Sequence, residues 1–121
     1  MSELADLLFG RGLGNRVEVY VPSTVSVDAP LTSSAAAAVI SRVERFMASE
    51  FGGATSVPAR GVWLSADGTL VTEDVTIVYS FTENLSKEQL ERVRVFCLNL
   101  KQELEQEAIA VEIAGKLRFV L

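Results

Sequence analysis

The chain predicts an α+β domain of ferredoxin-like βαββαβ order, an antiparallel sheet with two helices on one face. Three observations carry this. Apolar residues alternate with period two at 16–21, 70–81 and 108–114, as in strands. Between them, residues 34–50 and the stretch from Ser86 to Leu104 place apolar side chains three and four apart, as in amphipathic helices. The two middle strands are separated by Ser65-Ala66-Asp67-Gly68, a hairpin turn in which Gly68 can take a positive φ.

In chain order, residues 1–15 form a leading segment outside the domain, which occupies 16–121. Leu4, Leu7 and Leu8 suggest a short amphipathic helix, and Gly10, Gly12 and Gly14 make the following stretch a flexible or docking linker. The G-x-G-x-G spacing precedes a strand and opens no helix, so it lacks the geometry of a phosphate cradle. Val17, Val19 and Val21 share one face of the first strand; Arg16, Glu18 and Tyr20 share the other. Pro22 ends it, and Ser23 to Leu31 reads as a polar loop. Thr32, Ser33 and Ser34 can cap the first long helix. Its stripe is Ala36, Val39, Ile40, Val43, Phe46 and Met47, with Arg42, Glu44, Arg45 and Glu50 facing water. Gly52 and Gly53 supply a left-handed exit.

The second strand, 54–64, contains Pro58, which cannot donate to a ladder and so marks an edge or a bulge. In the third, Val75, Ile77, Tyr79 and Phe81 point one way, and Thr76, Val78 and Ser80 are expected on the uncovered face. Ser86 and Gln89 form a capping box for the second long helix. Its seam is Leu90, Val93, Cys97, Leu100 and Leu104; Glu88/Arg92 and Glu91/Arg94 are surface pairs. Ile109, Val111 and Ile113 point inward from the last main strand, with Ala108, Ala110 and Glu112 outward. Leu117, Phe119 and Leu121 continue it or form a short fifth strand.

Composition narrows the chemistry. The 121 residues carry a net charge of −5, with 49% hydrophobic and 22% charged residues. A single soluble domain follows, ill suited to nucleic acid or anionic membranes. There is no histidine and one cysteine, Cys97. That removes Ser-His-Asp and Cys-His catalysis, the common zinc sites and any internal disulfide. No signal peptide or spanning segment is visible, and the expected setting is cytoplasmic, without cofactor or metal.

The stretch from Phe51 to Glu73 gathers Gly52, Gly53, Pro58, Arg60, Gly61, the lone Trp63 and Gly68. Arg60 with Glu73 is its weak catalytic candidate: a carboxylate as acid/base, a guanidinium as anion clamp. Trp63 can stack a planar ligand or anchor an interface. Arg16, Glu18, Tyr20 and Glu112, alternating on the open face, are weak candidates for a ligand floor.

Phe51-Gly52-Gly53-Ala54-Thr55, Gly61-x-Trp63, Gly68, Glu73 and Gln106-Glu107-Ala108-Ile109 resemble a bacterial family of small domains of unknown function, over about 17–119. The resemblance implies the ferredoxin-like fold and no reaction. The resulting expectation is a non-catalytic binding or interaction module, homodimeric through its open sheet face, with a possible small-molecule ligand. The alternative is a small cofactor-independent enzyme acting on an anionic small molecule with Glu73 as acid/base and Arg60 as clamp.

Overall fold

The computed structural model describes residues 2–26 and 29–121. Its main sheet is built on β1 (Asn15–Pro22), whose alternation buries Val17, Val19 and Val21. A helix α1 (Ser2–Phe9) precedes it. After β1 come two short strands, β2 (Thr24–Val25) and β3 (Ala29–Pro30), then α2 (Ser33–Phe51), β4 (Thr55–Leu64), β5 (Leu70–Thr82), α3 (Lys87–Glu103), β6 (Ile109–Ile113) and β7 (Lys116–Val120). The large sheet has the order β4-β5-β1-β6-β7 with every pairing antiparallel. An α+β architecture with an antiparallel sheet is therefore what the periodicities specify. The expected loop at 23–31 instead pairs β2 with β3; its residues 27 and 28, like Met1 of the leading segment, lie outside the described residues.

Local signals act where the sequence places them. The Thr32 hydroxyl accepts from the Ala35 N–H at 3.2 Å, and Gly52 leaves α2 at φ 92°. Ser86 and Gln89 close the reciprocal capping box, both bonds at 3.0 Å. Satisfying a terminal N–H this way stabilises a helix by about 1 kcal/mol. Pro58 sits on β4, an edge strand, where its missing donor costs no ladder bond.

The core lies between one sheet face and the two long helices. Val39, Val43 and Met47 of α2 and Val93, Cys97 and Leu100 of α3 pack on Val19, Val78 and Val111. Burying each such side chain contributes roughly 1.5–3 kcal/mol. Phe46 and Phe96 stack with centroids 4.1 Å apart and hold the helices together. Arg42–Glu103 at 2.6 Å ties them at the surface, where such a pair is worth under about 1 kcal/mol. Arg92 bonds Glu50 across the helices rather than Glu88 along its own, so Glu50 is largely covered and not the water-facing residue its position suggests. Arg94 does pair with Glu91, at 3.1 Å. Ser80 donates to the Gly53 carbonyl at 2.6 Å and pins the exit of α2 to β5.

That last bond reveals a correction. Register sets Val19 opposite Val78 and Val17 opposite Ser80, so Val78 and Ser80 lie under the helices, with Thr76 on the same side. Val75, Ile77, Tyr79 and Phe81 belong to the open face instead. Strand period two makes this an all-or-none reversal. Among the described residues no helix is long and apolar enough to cross a membrane.

Candidate active site on the open sheet face

The face away from the helices has a polar end and an apolar end. At the polar end Glu18 stands opposite Tyr79 on β5 and Glu112 on β6. Two carboxylates are thereby set side by side on neighbouring strands. Glu18 is only 2% exposed, a position where a carboxylate needs partners. It has them: Arg16 donates to Oε1, and the Tyr20 hydroxyl lies 3.3 Å from Oε2. The Arg16 guanidinium also covers the Tyr79 ring, 4.7 Å from its centroid.

These contacts divide the acidities. Burial pushes the Glu18 carboxyl up, but hydrogen bonds with Glu112, Arg16 and Tyr20 and the Arg16 charge outweigh it, and the group ends below the ordinary carboxylate range. Glu112 is pushed the other way, first by the hydrogen bond shared with Glu18, then by its charge and by burial. The pair titrates as a unit in which Glu112 takes up the first proton. Burial, then the two carboxylates, raise the Tyr20 phenol; the hydrogen bond to Glu18 raises Arg16. Fully ionised, Arg16, Glu18 and Glu112 carry one net negative charge.

Tyr20 leads from this cluster into a cavity of about 490 Å³. Ala59, Gly61 and Trp63 of β4, Glu73, Val75 and Ile77 of β5, Ala110 of β6 and Leu117 and Phe119 of β7 line it. Ala59, Gly61 and Ala110 bring little side-chain bulk to it, and Tyr20, Trp63 and Phe119 bring rings. Trp63 is 51% exposed and Phe119 60%, so these are surfaces offered to a ligand or partner rather than core.

Of the sequence-derived candidates, Arg16, Glu18, Tyr20 and Glu112 come together as one cluster, and Trp63 joins Tyr20 along the cavity. Arg60 and Glu73 also line the cavity, but not as an ion pair. Arg60 stands opposite Asp74, with Nε 4.0 Å from its carboxylate and both side chains exposed. Glu73 stands opposite Gly61, facing the other side of the ribbon. Adjacent register positions cannot serve as a facing pair, and this separates the proposed base from its clamp. Sequence reading missed Ile77, Tyr79, Leu117 and Phe119. Apolar residues on both sides of β5 were the available signal that neither face is simply wet. Cys97 is fully buried, its thiol pushed up to about 12 by burial, and it is no nucleophile.

No family model matches the chain, and no curated protein matches it. Two solved structures do. One is a phage SAM lyase in complex with S-methyl-5'-thioadenosine, 24% identical, covering 90% of each chain with a TM-score of 0.59. The other is a phage SAM lyase in the apo state, 26% identical, covering 87% of this chain and 84% of that one, also at 0.59. Both belong to an enzyme. This likeness overturns the expectation of a non-catalytic interaction module, the leaning against an enzyme, and the description of its function as unknown. It favours the alternative of a small-molecule enzyme.

Proposed function

We propose that the chain is a lyase acting on a sulfonium nucleoside of the S-adenosylmethionine (SAM) type, with its site on the open sheet face. The observation that carries this is the buried Glu18 carboxylate, bonded by Arg16, set opposite Glu112 and leading through Tyr20 to a cavity with aromatic lining. Its support from outside is the likeness to phage SAM lyase over most of the chain. The strand order β4-β5-β1-β6 fits a ferredoxin-like split βαβ with β7 added, the finer assignment that we adopt. One buried thiol and no disulfide fit the cytoplasmic setting.

SAM at neutral pH carries a sulfonium, an ammonium and a carboxylate, one net positive charge. When both carboxylates are ionised, the Arg16–Glu18–Glu112 cluster has the complementary net charge and both signs, which suits a zwitterionic amino-acid head. Trp63, Tyr20 and Phe119 offer rings for the adenine. Cleavage breaks the bond between sulfur and the γ-carbon of the amino-acid chain. The electron pair stays on sulfur, which leaves as the neutral thioether S-methyl-5'-thioadenosine. The substrate's own carboxylate closes on the γ-carbon, so atoms balance without water, oxidant or proton transfer. Opposite charges annihilate in this step. An apolar cavity therefore favours the transition state over the solvated ground state. The chain's residues bind, orient and exclude water.

A second reading makes Glu73, the half-buried carboxylate of the cavity wall, the base for an elimination that expels the same thioether. Glu73→Gln decides between them. Base-free closure predicts that kcat stays within about tenfold, whereas loss of a general base costs roughly 10²–10⁴-fold. We also propose that a second copy covers the open face and closes the site, as its exposed apolar rim invites. Chromatographic detection of S-methyl-5'-thioadenosine from SAM tests the reading itself. Absence of product at saturating SAM would overturn it.

A further inference from the structure

One apolar segment and one apolar groove are left over from the site. The segment is α1. Leu4, Leu7 and Leu8 fall on a single stripe at helical spacing; Glu3 borders it and Asp6 lies on the far face of the helix. Among the described residues the stripe is left largely uncovered: Leu4 is 52% exposed, Leu7 81% and Leu8 64%. Gly10, Gly12 and Gly14 join the helix to β1, and the Arg11 guanidinium reaches Glu83 at 3.4 Å. A free helix of eight residues is marginal in water without a surface to pack on.

The groove lies between α3 and the outer strands, with a volume of about 650 Å³. Leu90, Val93 and Val120 supply its apolar lining, and Lys87 and Arg118 are at its rim. Arg94 lies there as well, held by Glu91 at 3.1 Å. Neither Lys87 nor Arg118 has an ion-pair partner among the described residues. Both are therefore open to an acidic partner at the rim of an apolar slot.

We propose that this groove receives α1 of a second copy of the chain. The leucine stripe enters the slot, and Glu3 at its edge meets Arg118 on the rim. The match is of both kinds that helix-in-groove recognition uses: apolar anchors three and four apart, and opposite charge at the rim. The glycine linker gives the reach, and reciprocal exchange of α1 between two copies doubles the contact under two-fold symmetry. The groove is on the helix side of the sheet and shares only Phe119 with the open-face cavity.

Mixing two singly substituted full-length chains tests it. One carries Leu7→Cys and an affinity tag; the other carries Leu121→Cys, at the groove. The native Cys97 is buried and does not compete. Under mild oxidation the proposal expects a disulfide between the two different chains as the main product. It expects Arg118→Glu in the second chain to lower the yield by roughly fivefold, the scale of one lost charge contact. Adding Glu3→Lys to the first chain should restore it. Failure to form the mixed disulfide would overturn the proposal. So would a disulfide forming within a chain that carries both substitutions while the mixture stays uncrosslinked, because α1 then docks on its own groove.

Discussion

Replacing Glu18 by glutamine separates what the buried carboxylate does for folding from what it does for substrate. The substitution keeps side-chain volume and one acceptor oxygen for Arg16, turns the other position into a donor that the Tyr20 hydroxyl can accept from, and removes one charge. Its structural cost is the charged part of the Arg16 contact. A hydrogen bond to a charged group is worth about 1.5–3 kcal/mol, but Arg16 is half exposed and can turn to water. The amide also avoids desolvating a charge. A loss of about 1 kcal/mol is expected, roughly 3–6 °C in Tm for a chain of this size. Substrate loses more. The cluster goes from one net negative charge to none. A unit charge held at about 4 Å with an effective dielectric of 20 is worth roughly 4 kcal/mol. Arg16 cancels part of that, leaving about 2–3 kcal/mol, or roughly 30–140-fold in KM. Thermal melting by circular dichroism and steady-state release of S-methyl-5'-thioadenosine measure the two effects. A variant with unchanged KM, or one that fails to fold, would refute the assignment of Glu18 as a substrate-facing charge tolerated by the fold.

Other outcomes follow from the same geometry. Glu112 is raised, so between the ordinary carboxylate value near about 4.3 and its folded value the native state binds the extra proton, and stability falls as pH rises through that window. Glu112→Gln removes that decline. Its Tm relative to the parent should therefore climb from acidic to neutral pH, and a falling difference would contradict the shared-proton pair. Glu18 acts with opposite sign: its lowered value contributes stability above the ordinary carboxylate range that is lost as pH falls through the folded value. Trp63→Ala should raise KM by roughly 10-fold through loss of about 1–2 kcal/mol of ring contact, with Tm nearly unchanged because the ring is half exposed. Met47→Ala, at a fully buried site, should cost about 2–5 kcal/mol in denaturant unfolding. Cys97 should stay unmodified by a thiol reagent in the native protein and react on unfolding, since burial pushes its thiol up to about 12.

The sequence was most legible where one local rule had no competitor. Ser86 with Gln89, Thr32, Gly52 and the Asp67-Gly68 turn each act as their chemistry requires. Strand identity was equally plain in β1, where valines alternate with Arg16, Glu18 and Tyr20. It failed in the facing of β5, because Val75, Ile77, Tyr79 and Phe81 are more apolar than Thr76, Val78 and Ser80 and read as the core side. Pairing with Val17 and Val19 decides the facing, and pairing is a non-local property. The site was half legible for the same reason. Arg16, Glu18 and Tyr20 declare a shared face by spacing alone, while the meeting of Glu18 with Glu112 needs the β1–β6 register. Arg60 and Glu73 looked like partners because both are polar in one hairpin; a one-residue offset puts Asp74 opposite Arg60 instead.

The central claim is that this face cleaves a sulfonium. Incubating the purified chain with SAM and following the nucleoside products by liquid chromatography and mass spectrometry tests it most directly. The account predicts S-methyl-5'-thioadenosine accumulating in proportion to enzyme, well above the no-enzyme rate, and suppressed in Glu18→Gln at subsaturating SAM. Product formation equal to the no-enzyme blank would contradict it.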